Sequence, residues 1–484
     1  MAADSRKVKP QKRRTGPGGG AHEEGAQASP ATVSAMGLCE RFLSVSGERV
    51  DIASVVFFRI CFGLLMLKHV LEYLVGGRLS RQFLEPMFLF KYEGFGWVTP
   101  GPPALMYAVF IGLAIAAAMI ACGLFYRWAA TLFFLGITYV FLLDTATFQN
   151  HLYLISLISF LMIFVPAERA LSLDARRRPA LRSDTLPAWA LWLLRFQIAV
   201  PYFYGGIAKL NYDWLVRAQP MTVWMSEGTE GSWGTPLRAS WGPYAVSWGG
   251  VMFDLLIVPA LLWRRTRIPA LLLAVTFHLT NSQLFTIGVF PWLMIAATLL
   301  FLEPAWPRRL GIPGRRAALR GALAGASGPT TGGLSRSGRA FLAVYVAVQL
   351  LVPFRHFLYR GHVDWTEEGN RFAWRMKLRD KRGEMTFVAV DPVARKIYPL
   401  DGLEAALTPG QRRMMIHDPE MMRQFAHWLK DKMQEAGYPK LQVRARTDIS
   451  LNGRPKQPLI DPEVDLASLP ATFGPATWIV PLRP

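Results

Sequence analysis

Only 18% of the 484 residues are charged, against about a quarter in soluble proteins, and 52% are hydrophobic before the 41 glycines are added. Such a balance excludes a disordered, collagen-like or ordinary cytosolic chain. The net charge of +20 admits nucleic acid as a partner only if the basic residues form one stripe, and Cys39, Cys61 and Cys122 include no CxxC pair, which excludes structural zinc, iron–sulfur ligation and thiol redox chemistry.

Residues 1–50, with SRKVKPQKRR followed by GPGGG, read as a basic, largely disordered tail; no apolar segment follows closely enough for a signal peptide. Apolar runs then recur near 55–75, 104–124, 128–144, 152–166, 188–208, 249–263, 268–280, 285–302 and 340–353. Several reach the ~20 residues that cross ~30 Å of hydrocarbon. The pattern predicts a mainly α protein, a polytopic membrane helical bundle over 51–354 with nine spans, or eight. Basic residues gather in alternate connections: the tail, Arg127, Arg169 to Arg182, Arg264 to Arg267, and Arg308 to Arg339. Connections rich in Lys and Arg favour the cytoplasm, so the N-terminus is expected inside. The charge is thus a topology signal for a lipid bilayer, and nucleic acid is not expected as a partner.

Residues 311–339, rich in Gly, Ser and Arg, read as a flexible cytoplasmic linker. Over 355–484 the texture becomes that of a smaller α+β extramembrane domain, expected on the non-cytoplasmic side. MTFVAV and RKIYPL flank DPVA as a hairpin, PEMMRQFAHWLKDKMQEAG has helical period, and LQVRARTDISL reads as a strand before an Asn452-Gly453 turn.

Polar groups inside apolar spans are costly and draw attention. Arg59, Lys68, His69 and Arg195 read as snorkelling, or as paired with Asp254 or Glu72. Asn150 and His151 open the fourth span, Lys209 ends the fifth, and His278, Asn281, Ser282 and Gln283 end the seventh, all at one outer depth. They could line one cavity walled by Tyr202, Phe290, Trp292 and Met294. Lys209 lies between PYFYGGIA and LNYDW, surroundings that desolvate an ammonium and disfavour its charge, and a neutral amine can act as a base. Snorkelling, or pairing with Asp213 that keeps it charged, are the alternatives, and spacing does not choose among them.

The stretches FRICFGLLM, YVFLLDTATFQNHLYL, PYFYGGIAKLNYDW, FHLTNSQLFTIGVF, EPAWPRRL, DPEVDL and TWIVPL lie in order from about 50 to 482. In them the chain resembles the vitamin K-dependent gamma-carboxylase family, within the horizontally transferred transmembrane domain superfamily. The resemblance implies an integral-membrane enzyme that couples oxygen-driven epoxidation of a reduced naphthoquinone to carboxylation of glutamate side chains in a secreted peptide or protein. Reduced vitamin K, O2 and CO2 are then the cofactor and co-substrates, with no metal. It implies Lys209 as catalytic base, with His151 and Asn150 beside developing oxyanions, and a quinone pocket of Tyr202, His278, Ile287, Phe290 and Met294. Trp374, Met376 and Asn281 are weaker candidates for substrate contact.

Where the family carries Tyr-Gly-Tyr-Ser-Trp in the first strands of its extramembrane domain, this chain reads Asn370, Arg371, Phe372, Ala373, Trp374. Quinone chemistry is therefore better supported than glutamate carboxylation, and a quinone epoxidase that carboxylates no protein is the rival within the fold. A transporter or scaffold would call for internal repeats with broken helices. The Ala-, Arg- and Pro-rich composition without an N-x-S/T sequon points to a bacterial plasma membrane. Oligomeric state is not indicated.

Overall fold

The computed structural model describes residues 48–227, 240–284, 287–310, 334–400 and 402–483; nearly all of the expected tail and most of the expected linker lie outside them. Each apolar run predicted from the sequence forms a helix. Strand β1 (Arg49–Asp51) leads into α1 (Ala53–Val75), then α2 (Pro103–Cys122), α3 (Tyr126–Leu142) and α4 (Asn150–Phe164) follow. Strand β2 (Thr185–Pro187) opens α5 (Ala188–Ala208), and α6 (Gly242–Leu262), α7 (Arg267–Leu284), α8 (Phe290–Thr298) and α9 (Arg336–Leu351) complete the bundle.

Among the described residues, four helices are long and apolar enough to cross a membrane: α1, α2, α6 and the stretch Arg336–Leu358 that contains α9. The shorter apolar helices α3 and α4 have 17 and 15 residues, roughly 25 and 22 Å at 1.5 Å per residue, less than the hydrocarbon thickness. Pro103 begins α2, where the missing N–H would be unpaired in any case. Helix α9 starts inside the expected linker because Ser335 caps it, accepting from Gly338 N–H at 3.1 Å.

Pairing of β1 with β2, Arg49 opposite Pro187, puts the starts of α1 and α5 at one end of the bundle, called here the far end. Their C-termini reach the opposite end, where an α+β unit docks. That unit has a fully antiparallel sheet in the order β4-β3-β5, from β3 (Lys381–Asp391), β4 (Lys396–Pro399) and β5 (Gln442–Leu451). Helix α10 (Pro419–Glu435) buries Met421, Met422, Phe425, Ala426, Leu429 and Met433, a stripe of helical period. It shares a core with Val443, Ala445 and Ile449 of β5. Hairpin, helix and strand lie where the sequence places them.

The two cores exchange aromatic residues. Phe90, from the connection between α1 and α2, is fully buried in the core of the α+β unit, and Phe88 packs 5.8 Å from Phe425. In return Trp374, from the segment leading into β3, is buried in the bundle core and stacks on Tyr153 of α4 at 4.9 Å. Each such side chain removed from water contributes about 1.5–3 kcal/mol. Polar contacts fix the register: Gln424 takes the backbone N–H of Lys91 at 2.7 Å and donates to its carbonyl at 2.9 Å. Gln411 donates to Phe88 O at 2.9 Å and Asp144 Oδ2 at 3.0 Å.

Candidate active site

Lys209 caps the end of α5, at the docked end, and is only 8% exposed. Its Nζ donates to Asp254 Oδ2 of α6 at 2.5 Å and to Gly205 O at 3.1 Å, and lies 5.4 Å from the Trp214 ring centre. A Cβ on Gly205 would sit 3.3 Å from Asp254 Oδ2 and 3.4 Å from Met376 Cε, so a residue without a side chain keeps the pair and Met376 together. Ammonium with carboxylate, and neutral amine with acid, differ only in where one proton sits between Nζ and Oδ2.

Two of the alternatives that the sequence leaves open about partners are not the ones formed. Asp213 is not the partner of Lys209, because Asn211 caps the next turn, accepting from Trp214 N–H, and the chain swings Asp213 toward the α+β unit. There Asp213 accepts from Arg454 at 2.7 and 2.8 Å, Asn452 at 2.9 Å and Arg217 at 3.0 Å. Burial pushes the Asp213 carboxyl up, but hydrogen bonds from Arg454 and Asn452 and the arginine charges outweigh it and hold it at about 2. Nor does Asp254 serve Arg195, which donates instead to Leu300 O and Leu302 O at the end of α8.

The two imidazoles flank one ring. His151 lies 5.9 Å and His278 6.1 Å, centre to centre, from Phe290. Tyr202 Oη and His278 Nε2 are 2.6 Å apart, with exposures of 4% and 2%. His278 Nδ1 and Asn150 Oδ1 are buried with no hydrogen-bond partner among the described residues. Whichever tautomer His278 adopts, Nδ1 keeps an unused donor or acceptor role. Phe253 stacks on Phe277 at 3.9 Å and packs 5.9 Å from Tyr202, which links the wall of this cluster to the residue preceding Asp254.

Met294 is buried in the bundle core, and Ile287 and Asn281 are half-buried. Trp292 does not line the cluster: it is 47% exposed on the other face of α8. Trp374 is 1% exposed and anchors its segment in the bundle, whereas Met376 is the residue of that segment that reaches the Lys209 pair. Phe372, Trp374 and Lys377 all adopt left-handed backbone, with φ of 64°, 56° and 55°, a conformation costing roughly 1 kcal/mol or more for each residue with a side chain. The ion pairs Arg371–Asp418 at 2.5 Å and Arg375–Asp364 at 2.7 Å hold it in place.

Sequence reasoning missed Asp254 as the partner of Lys209. The signal was available, since it is the one acidic residue in the otherwise apolar run GPYAVSWGGVMFDLLIVPALL. It also missed Gly205 and the Tyr153 platform, which nothing short of coordinates reveals.

A family model described as HTTM domain matches residues 48–306, and another described as Vitamin K-dependent gamma-carboxylase, lumenal domain, matches residues 335–484. No solved structure matches the chain. The apolar helices together with the HTTM match make this a membrane protein. With more than half of its length matched by the first description and most of the remainder by the second, the chain belongs to the vitamin K-dependent gamma-carboxylase family.

Proposed function

We propose that the docked end houses an enzyme site that epoxidises a reduced naphthoquinone of the vitamin K type and uses that oxidation to carboxylate glutamate side chains of a secreted peptide or protein. The observation that carries this reading is the buried Lys209–Asp254 pair, at the same end of the bundle as the Tyr202–His278 pair, with Met376 beside it across Gly205. The residues suit the ligand: apolar Phe290, Met294 and Tyr202 fit a flat ring system, and the unpartnered His278 Nδ1 and Asn150 Oδ1 fit its oxygens. When bound, the hydroquinone and oxygen would supply the strong base that a glutamate γ-carbon requires and that no side chain provides.

Lys209 Nζ accepts the hydroquinone proton once Asp254 Oδ2 holds the proton of their pair, so the carboxyl sets which form of the amine meets the ligand. His278, oriented by the Tyr202 hydroxyl, and His151 with Asn150 hydrogen-bond oxygens as negative charge grows on them. The low exposure of Lys209, Tyr202, His151 and His278 keeps out the water that would quench a strong base. In this reading the docked end faces away from the cytoplasm, where a secreted substrate is available.

Membranes carrying the protein, given reduced vitamin K, oxygen, labelled bicarbonate and a glutamate-rich peptide, are expected to form quinone epoxide and to label the peptide. Absence of epoxide from folded protein would sink the proposal. A second reading, epoxidation without protein carboxylation, is favoured by one observation: Trp374, in the segment where the family carries Tyr-Gly-Tyr-Ser-Trp, is buried in the bundle and not offered to a peptide. Epoxide without label would select it.

A further inference from the structure

At the far end, away from the site above, a cavity of about 790 Å³ opens between α1, the connection from α4 to β2, and the short helix Trp306–Arg309. One wall is apolar, formed by Ile52, Val56, Phe57 and Ile60. The rim carries Arg169, Arg176, Arg182 and Arg308 against a single carboxylate, Asp184. Arg308 is committed to Asp51 at 2.7 Å and Asp184 at 3.3 Å, and Arg182 donates to Ala175 O at 2.9 Å. Arg169 and Arg176 form no ion pair among the described residues.

The rim is built rather than loose. Arg59, with no exposed surface, gathers the carbonyls of Leu171 at 2.6 Å, Ala167 at 2.8 Å and Ala170 at 3.3 Å. Leu171 is held in left-handed backbone at φ 45°. Gly123, itself at φ 64°, lets the turn after α2 approach so closely that a Cβ there would lie 2.4 Å from Ser172 Cβ and 2.7 Å from Arg59 Nη1. Asp174 then accepts from the backbone N–H of Phe125 and Tyr126, both at 2.9 Å. The result presents guanidinium groups, whose planar forks match phosphate oxygens, at the mouth of an apolar slot.

We infer that this cavity binds the phosphate of an anionic phospholipid, with Arg169 and Arg176 on the head group and the first part of an acyl chain along Phe57 and Ile60. A free phosphate would use the same arginines but leave the apolar wall uncovered. With the basic connections on the cytoplasmic side, the slot meets the leaflet richest in anionic lipid.

The test uses the full chain in nanodiscs of phosphatidylcholine with or without phosphatidylglycerol, with retained lipid read by native mass spectrometry. Wild type is expected to retain phosphatidylglycerol, and Arg169→Gln with Arg176→Gln to lose roughly tenfold or more, as removal of two lipid-attracting charges implies. A control that removes equal charge from the exposed turn after α6, Arg264→Gln with Arg265→Gln, should retain as much as wild type. Arg176→Gln alone, at an exposed side chain, gives a partial loss if the double variant does not fold. Equal loss from control and cavity variants, or no preference for phosphatidylglycerol, overturns the proposal. So does a rise in melting midpoint with millimolar inorganic phosphate in phosphatidylcholine discs without selective lipid retention, which assigns the cavity to the free anion.

Discussion

The bundle buries a cation at each end, and the two are satisfied in opposite ways. Arg59 at the far end spends both terminal nitrogens of its guanidinium on backbone carbonyls, three from the connection after α4 and one from Ala121 near the end of α2, an arrangement that fixes loop shape. Lys209 at the docked end has one carboxylate, one carbonyl and an aromatic face, and a proton within that pair can change owner. A cation tied to carbonyls can only hold; a cation tied to a titratable acid can also exchange. Burial alone therefore does not separate a structural charge from a chemical one: exchange needs both a partner that can take the proton and a cation that can release it, which a lysine can and an arginine such as Arg308, held by Asp51 and Asp184, cannot.

The sharpest way to break this contrast is to remove each cation. Lys209→Ala should cut quinone epoxidation per folded molecule about a thousandfold, the scale of a lost proton-transfer group, beyond whatever stability the unpaired buried Asp254 costs; Asp254→Asn should follow it in the same product assay. Arg59→Met should do the reverse, destabilising by about 3 kcal/mol or more because buried carbonyls lose their donor, with activity per folded molecule retained in a denaturation and turnover comparison. An Arg59 variant that folds normally and loses turnover would reverse the two roles.

The docking contacts sharpen the comparison through pH. Asp144 lies in the turn between α3 and α4, and burial holds its carboxyl up at about 6, only partly offset by hydrogen bonds from Ala146 N–H, Gln411 and Phe90 N–H. Since an unfolded Asp titrates near 4, the folded protein binds the extra proton between about pH 4 and 6. Stability should fall by about 2–3 kcal/mol as pH rises through that window, and Asp144→Asn should flatten the slope in a pH series of melting curves. Asp213, held low, behaves oppositely: its clamp on Arg454 is intact above about pH 4 and is lost as pH falls toward 2. Arg454→Ala leaves Asp213 with Arg217 and Asn452, so a loss of about 2 kcal/mol is expected, read as easier proteolysis of the α+β unit. Gly205→Ala is the mildest: its Cβ needs only a few tenths of an ångström from Asp254 and Met376, so turnover should drop several-fold with folding unchanged.

Element positions were legible in the sequence because hydropathy is local: the DPVA hairpin and most apolar runs announce themselves within about five residues of their observed bounds, although the helix Gly242–Leu262 begins well before its expected start at 249. Lys209, His151 and His278 were legible as candidates because a polar group amid apolar neighbours is conspicuous. Partnership was not. Lys209 and Asp254 lie 45 positions apart, and one acid competes for any cation its helix can face. The exposed side of Trp292 was equally hidden, since α8 is apolar all round and its pattern names no inward face.

The mutual exchange of aromatics has a consequence for biogenesis. Lys91 waits for Gln424, 333 positions later, and Phe90 waits with it. While the ribosome is still emitting the later helices, the early loop therefore presents Phe88 and Phe90 without their pocket, and the bundle lacks the plug that Trp374 provides. Neither half can finish its interior alone, so assembly closes only after synthesis has passed α10, and each half severed from the other would carry a greasy, aggregation-prone socket.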